Sequence, residues 1–438
     1  MSEQLATIRL FPAFGAEDAP ELTDQYHRMM WYLYPVIDRI KEIRIAVVEG
    51  TAPGTLPNYL DPSIAALVEQ FRPLVRIVDP AELDDAAKPE DFVLQWRTKE
   101  TVPASLSICS VEDIDRFAHV EECQVYLNLS SKIGKSYSLD VADSHAKFNE
   151  LVARHKREKC YIFGTGPNLS SIADHDFSDG VAIACNSMVR NTALLDRMQP
   201  PLIVAGDPIF HAGASVYAAE FRAALYAAME RYDACFMTNQ RDYRIFKAHM
   251  PPHLRDRLIG APADWGLRMN PDPVENFFFT ACPNILTLFL IPLAHAFGSN
   301  EIWIAGCDGR SLLDNKYFWS HDKSVQFNDK MKDIQVAHPS FFDISYDDYY
   351  YLHCETVRHW VESCESRRRK VVNMTPSYIP ALKARFMPQP GSTVSNVAEK
   401  VPFLVDLRMR LVFLQRQKSV LRATVPARAK AAFRRIFA

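Results

Sequence analysis

Short apolar runs alternate with stretches of helical periodicity between residues 159 and 374, and this alternation constrains the fold most strongly. The apolar runs lie at 160–163, 181–186, 202–206, 234–239, 301–306 and 370–374, and helical spacing is clear at 216–232, 283–297 and 350–367. Strands that are separated by helices pair in parallel. The pattern therefore predicts a doubly wound α/β domain with a ligand site at the carboxyl ends of its strands.

The first 150 residues show a weaker form of the same alternation. Strand-like runs at 44–49, 75–78, 92–96 and 124–129 flank helical spacing such as that at 62–71, and 140–159 has the character of a connecting helix. This predicts a smaller α/β domain with no phosphate loop of its own. We therefore divide the chain into an N-terminal α/β domain (1–150), a catalytic domain (151–395) and a tail (396–438).

The tail is basic and amphipathic. Residues 401–438 contain nine lysines and arginines against the single acid Asp406, with leucines and phenylalanines between them. Each base near an anionic bilayer contributes about 1 kcal/mol of binding free energy. The pattern predicts peripheral contact with an anionic membrane. A solvated tail and a helix that packs back on the protein are the alternatives.

Charge and cysteine usage limit the class of protein. The chain has 50 Lys+Arg and 53 Asp+Glu, a net charge of −3, which does not indicate nucleic-acid binding. Its nine cysteines form no C-x-x-C pair, so neither a disulfide framework nor a zinc ribbon is indicated. The first residues do not resemble a signal peptide, and the most apolar stretch, 285–297, is too short to span a bilayer. We expect a cytoplasmic protein on the inner face of the cell membrane, with no nucleic-acid partner.

Glycines and polar residues follow the first three strands of the catalytic domain. The turn Gly164-Thr165-Gly166-Pro167 could bring backbone amides against phosphate oxygens, although it lacks the third glycine of a dinucleotide fingerprint. Asn186, Ser187 and Asp207 could orient a ribose, a base or a phosphate. A tight turn without a ligand and ordinary helix caps are the alternatives for these residues. Their convergence at one sheet edge favours a site.

Candidate ionisable groups follow the later strands. Asp308 could bind a hydroxyl or a metal or cap a helix, and Arg310 could pair with a carboxylate or a phosphate. A neutral His353 suits removal of a proton from a sugar hydroxyl, and the hydroxyls of Tyr317 and Tyr350 could hold a leaving phosphate. A core or helix-capping histidine is the alternative. No H-E-x-x-H or G-x-S-x-G motif is present, so zinc peptidase and serine hydrolase chemistry are not indicated.

In order and spacing, these motifs resemble the bacterial lipooligosaccharide sialyltransferases over about 159–386. The matching segments read GTGPNL, CNS, GDPIF, TACPNILTLFLIPLAHAFGSNEIWIAGCDGR and YYYLHCETVRHW. They are also similar to the related domain of Maf-type flagellin glycosyltransferases and of a pterin diphosphokinase. The resemblance implies a Rossmann-like, GT-A-like variant of the glycosyltransferase fold.

The resemblance also implies an activity and a set of roles. It implies inverting transfer, without a metal, of a sialic acid-like or Kdo-like sugar from a CMP-sugar to a cell-surface glycan or glycolipid. His353 would be the general base, Tyr317 and Tyr350 would steady the leaving phosphate, and Asp308 would lie at the ribose. The remaining nucleotide-binding residues would be Gly164, Thr165, Gly166, Pro167, Asn186, Ser187, Asp207, Thr280 and Arg310. A homo-oligomer is a further expectation.

This chain departs from the family pattern at several positions. Thr165 and Asp207 replace asparagines, Arg310 replaces a tyrosine, and 277–279 offers no counterpart of a family arginine. The donor sugar therefore stays open. Two alternatives also stay open: an ATP-dependent pterin diphosphokinase-like enzyme, in which Asp207 and Asp308 would bind Mg²⁺ and phosphates, and a non-catalytic scaffold.

Overall fold

The fold is α/β, with two large parallel sheets, one small two-stranded parallel sheet and helices along the connections between strands. A computed structural model describes residues 6–15, 19–48, 51–83, 92–95, 107–110, 137–264, 269–270, 272–280, 284–311, 323–338, 347–390 and 393–424. The fold class inferred from strand and helix alternation is confirmed. The expected strand at 124–129 lies outside the described residues, and the division into domains stays a prediction.

The first sheet has five parallel strands in the order β3-β2-β1-β4-β5. Its strands are β1 Ala6–Phe14, β2 Ile40–Val47, β3 Val75–Val78, β4 Phe92–Gln95 and β5 Ser107–Ser110, and the helices of this part are α1 Ala19–Leu33, α2 Ile64–Phe71 and α3 Pro80–Leu83. The central strand β1 was missed by sequence reasoning. It contains Pro12, which cannot donate to a sheet, and its register with β2 shifts between Leu10 and Phe14.

The second sheet has seven parallel strands in the order β10-β9-β8-β7-β6-β13-β14. These are β6 Lys159–Phe163, β7 Val181–Cys185, β8 Leu202–Val204, β9 Cys235–Asn239, β10 Leu258–Ala261, β13 Glu301–Ala305 and β14 Lys370–Asn373; β11 Ala263–Asp264 and β12 Phe279–Thr280 form a separate pair. All residues of β7 and β8 are buried, as expected for strands covered on both faces. The strand order reverses between β6 and β13, which makes this the topological switch point.

Helices cover the second sheet and extend beyond it. They are α4 Tyr137–His155, α5 Thr192–Met198, α6 Val216–Tyr232, α7 Gln240–His249, α8 Ile291–Ala296, α9 Met331–Ala337, α10 Asp347–Ser366, α11 Pro380–Lys383 and α12 Phe403–Thr424. Short 3-10 segments occupy Tyr34–Arg39, Pro167–Ile172, Asn186–Arg190, Pro252–Arg257, Lys323–Val325 and Asn328–Lys330, and π turns occupy Pro208–Ala212 and Leu286–Leu290. The most apolar stretch forms the second π turn and α8, which are buried in the core. Within the described ranges, none of the helices has the length and apolar character that crossing a bilayer requires.

A buried cation joins the first part of the chain to the second sheet. Arg222 on α6 forms an ion pair with Asp61, Nη2 to Oδ2, at 2.5 Å, and both side chains are buried. The Arg222 guanidinium lies 4.2 Å from the ring centroid of Trp31, whose indole N–H donates to the carbonyl of Ala212. The Trp31 ring also stacks on His249 at 3.5 Å. These contacts hold α1 against α6 and α7.

Replacing Arg222 with alanine would leave the Asp61 carboxylate buried without its cation. We expect Arg222→Ala to lower the free energy of unfolding by about 3–5 kcal/mol, measured by urea denaturation. Arg231→Ala is the control, because Arg231 also pairs with an aspartate, Asp196, but does so at the surface. The urea midpoint of Arg231→Ala should stay near that of the wild type. Equal effects of the two variants would contradict the anchoring role of Arg222.

Candidate active site

Two loops cross in backbone contact at the switch point of the second sheet. The amide of Gly164, after β6, donates to the carbonyl of Ala305 at 2.8 Å, and the amide of Gly166 donates to the carbonyl of Gly306 at 2.8 Å. A Cβ on Gly166 would lie 2.6 Å from Cγ of Asp308, and one on Gly164 would overlap the Gly306 carbonyl oxygen. The crossing therefore requires glycine at both positions.

This geometry limits which amides of the turn can contact a phosphate. The amides of Gly164 and Gly166 are engaged by carbonyls of the β13 loop. Thr165 between them is half-buried, and Pro167 is exposed at the start of the 3-10 segment Pro167–Ile172. The turn thus lies at the expected edge of the sheet. Its contact with a nucleotide stays a prediction.

Asp308 links the same two loops through its side chain. Its Oδ2 accepts hydrogen bonds from the backbone N–H of Asn168 at 2.8 Å and from Nδ2 of Asn168 at 3.0 Å. Its backbone carbonyl accepts from the amide of Tyr378 in the loop after β14. Of the three roles that the sequence left open for this acid, the structure shows the capping contact. The ribose contact stays a prediction.

Tyr350 holds the chain at Arg310. The buried Tyr350 hydroxyl accepts from the backbone N–H of Arg310 at 3.0 Å and donates to its carbonyl at 2.8 Å. The Arg310 guanidinium lies 4.8 Å from the centroid of the tyrosine ring. Burial raises the pKa of Tyr350 well above its ordinary value, so the hydroxyl is neutral. Tyr350 therefore positions Arg310 at this edge, and its contact with a leaving phosphate stays a prediction.

His353 lies one helical turn after Tyr350 on α10. The centroids of the two rings are 6.3 Å apart, and the histidine is 2% exposed. Its Nδ1 is buried and has no hydrogen-bond partner among the described residues. Burial lowers the pKa of His353 to about 3, so the imidazole is neutral at physiological pH. Tyr350 and His353 are therefore neighbours on α10, and Tyr350 bonds to the backbone of Arg310, two residues after Asp308 in the β13 loop. The role of His353 as a base stays a prediction.

Asn186 is a strained residue at the end of the neighbouring strand β7. Its φ is +49°, in the left-handed region, and its Oδ1 is buried with no hydrogen-bond partner among the described residues. A buried, unpaired polar atom costs about 1–3 kcal/mol, and such strain is concentrated at functional sites. The amide oxygen of Asn186 is therefore suited to accept a hydrogen bond from a ligand.

Three further candidate residues, Ser187, Asp207 and Thr280, make contacts within the protein. The hydroxyls of Ser187 and Tyr217 both donate to Oε1 of Gln326, at 2.9 and 2.7 Å. Asp207, after β8, caps the π turn Pro208–Ala212 by accepting from the amides of Ile209 and Phe210. Thr280 is buried in β12, opposite Asp264 of β11. Tyr317 lies outside the described residues.

Sequence reasoning missed several residues that organise this edge. Asn168 binds Asp308, Gln326 holds Ser187, and Thr375 Oγ1 accepts from the amide of Gly306 at 2.9 Å. Arg241, at the carboxyl end of β9, donates to the carbonyl of Gly206 at 3.2 Å. Thr375 directly follows the predicted strand at 370–374, and Asn168 follows the Gly164–Pro167 turn, so their positions in the chain were the available signal. Nothing local in the sequence marks Gln326.

A methyl group at Gly164 would collide with backbone that cannot rotate away. We expect Gly164→Ala to lower the free energy of unfolding by about 1–3 kcal/mol, because overpacking forces the two loops apart. Gly54→Ala is the matched control, since its added methyl would meet only the side chain of Thr23. Urea denaturation of both variants provides the measurement, and a Gly164→Ala protein as stable as Gly54→Ala would show that the loops do not cross tightly.

Comparison with known proteins finds solved structures that are similar to part of the chain. No protein-family model and no curated protein matches the chain. The sialyltransferase CstII from Campylobacter jejuni, in complex with the substrate analogue CMP-3FNeuAc, is similar with 14% identity and a TM-score of 0.30, over 57% of this chain and 93% of that one. The monofunctional alpha-2,3-sialyltransferase Cst-I from the same organism is similar with 11% identity and a TM-score of 0.29, over 59% of this chain and 94% of that one.

Proposed function

We propose that the chain is an inverting glycosyltransferase that transfers an acidic sugar from a CMP-sugar to a cell-surface glycan or glycolipid. The observation that carries the proposal is the position of a buried, neutral histidine next to Tyr350, whose hydroxyl bonds to the Arg310 backbone in the loop after β13 at the switch point. Ligands of doubly wound sheets bind at this point. The order of motifs that resembles the lipooligosaccharide sialyltransferases supports the same activity.

In this proposal the nucleotide lies along the carboxyl ends of β6, β7 and β13. The unpaired Oδ1 of Asn186 would accept a hydrogen bond from the amino group of cytosine or from a ribose hydroxyl, both of which are donors. The guanidinium of Arg310, held beside Tyr350, would face the negative charge of the leaving phosphate. This charge increases as the bond to the anomeric carbon breaks, so a fixed cation stabilises the transition state more than the ground state.

His353 would take the proton of the acceptor hydroxyl. A ring with a pKa of about 3 is neutral and able to accept a proton, but it is a weak base. A bound phosphate close to the ring would raise this pKa, since a neighbouring negative charge favours the imidazolium. The histidine therefore becomes an effective base only in the complex with the donor. The bond between the anomeric carbon and the phosphate oxygen breaks, and its electron pair goes to the leaving phosphate. The acceptor oxygen attacks the anomeric carbon from the opposite face, and its proton passes to His353.

Binding of CMP without a metal tests the donor class. We expect CMP to raise the melting temperature in the presence of a chelator, by the equivalent of about 2.7 kcal/mol at a concentration 100 times its Kd. Asn186→Ala should weaken this shift, whereas Asn300→Ala, an exposed asparagine at the opposite edge of the sheet, should preserve it. A shift with ATP and Mg²⁺ but none with CMP would favour the pterin diphosphokinase alternative.

Replacement of His353 tests the base. We expect His353→Ala to lower kcat by about 10²–10⁴-fold while CMP still binds, because proton removal is lost and the nucleotide contacts remain. For the wild type, kcat/KM for the donor should not fall as pH decreases from 8 to 5, since the pKa of about 3 keeps the free enzyme's histidine neutral throughout. A pKa raised by the bound donor should appear in the pH profiles of kcat and of kcat/KM for the acceptor at saturating donor.

Mass analysis of surface glycan connects these measurements to the acceptor. A strain that lacks the chain should lose one acidic sugar, and the wild-type gene should restore it. His353→Ala should not restore it. Full restoration by His353→Ala would contradict the assignment of the base and would favour the non-catalytic scaffold.

A further inference from the structure

The helix of the basic tail has two different sides. One side of α12 packs along α10: Met409 is buried, Phe413 stacks on His359 with the ring centroids 4.4 Å apart, and Arg408 pairs with Asp348 at 3.1 Å. The sequence left open whether the tail contacts a membrane or packs on the protein. Among the described residues, one side of α12 packs on α10 and the opposite side is exposed.

The opposite side carries a continuous apolar stripe, which we call the outer face of α12. Its five side chains are between 42% and 77% exposed, namely Phe403, Leu404, Leu407, Leu411 and Leu414. At 3.6 residues per turn they fall within an arc of about 100°, and Lys418 continues the same line. Large apolar side chains at a protein surface are normally scattered, so a stripe of this kind marks an interaction surface.

The charges around the outer face identify its partner. Arg408 and Arg410 flank the stripe, and both form surface ion pairs, with Asp348 at 3.1 Å and with Asp406 at 2.9 Å. Exposed pairs of this kind are weak, so both arginines can exchange the carboxylate for a lipid phosphate. Asp406 is the one acid of residues 401–438. An apolar stripe bordered by bases fits the headgroup region of an anionic bilayer, where leucines enter the acyl boundary and arginines remain among phosphates. We propose that the outer face of α12 binds the surface of an anionic membrane.

This contact would also orient the candidate site. Arg408 contacts Asp348 and Tyr351, and Phe413, further along α12, contacts His359, further along α10. The two helices therefore run in the same direction. The most exposed residues, Phe403 and Leu404, therefore lie toward the end of α10 that carries Tyr350 and His353. A membrane bound there would bring the site close to lipid-linked substrates. The membrane contact itself does not depend on the proposed donor or reaction.

Sedimentation of the full chain with vesicles tests the proposal. We expect the wild type to bind vesicles of phosphatidylcholine with phosphatidylglycerol and to bind phosphatidylcholine alone much more weakly, with binding reduced by high salt. The double variant Leu407→Glu/Leu411→Glu should bind the anionic vesicles at least about tenfold more weakly, because two carboxylates replace the inserted side chains. Leu139→Glu/Val336→Glu is the matched control, since both residues are exposed leucine or valine on other helices.

The alternatives give different results in the same set of measurements. Both double variants should keep the wild-type melting temperature, because all four side chains are exposed. Failure of the wild type to bind anionic vesicles would overturn the proposal, as would equal loss of binding in the two double variants. Sedimentation equilibrium adds a further test: a wild-type dimer that dissociates only in Leu407→Glu/Leu411→Glu, without vesicle binding, would assign the outer face to a second copy of the chain.

Discussion

The backbone crossing between the β6 and β13 loops is the constraint on which the candidate site depends. Neighbouring parallel strands diverge at their carboxyl ends at a switch point, which normally opens a crevice. Here glycine on both sides lets the loops approach until the Gly164 and Gly166 amides reach carbonyls of the partner loop. The crossing fixes the backbone of Asp308, and from there the order of contacts leads through Arg310 and Tyr350 to α10.

Most polar groups at this edge are satisfied by the protein itself. Asp308 caps the Pro167–Ile172 segment, Asp207 caps the following π turn, and Ser187 holds Gln326. These hydrogen bonds make the edge rigid before a ligand arrives. Nδ1 of His353 and Oδ1 of Asn186 are among the buried side-chain atoms that have no hydrogen-bond partner within the described residues. The amide oxygen of Asn186 is an acceptor, so a rigid frame that leaves it unpaired is preorganised for a ligand with a hydrogen-bond donor, such as an amino group or a hydroxyl.

Much of the fold could be predicted because strands buried on both faces read as uninterrupted apolar runs. The runs at 160–163 and 301–306 correspond to β6 and β13, and helix α6 has the predicted bounds. Among the strands that were missed, β1 is interrupted by Pro12 and β10 contains Gly260, and both residue types weaken a strand pattern. Strand β5 was also missed. For the site, the order of residues along strand ends was predictable, but which polar atoms bind each other was not. The glycine amides, for example, bond to a loop about 140 residues away in the sequence.

Local sequence patterns were sufficient to predict the parallel α/β architecture, the edge of the sheet at which polar residues collect and the basic character of the tail, because hydrophobic periodicity and the succession of motifs can be read from neighbouring residues. The folded structure was needed to show that the glycine amides are engaged in the crossing, that Tyr350 is bonded to Arg310, and that His353 is buried and neutral. It was also needed to show which side of α12 is covered by α10. These features depend on contacts between segments far apart in the chain, and burial and hydrogen-bond pairing have no local signature.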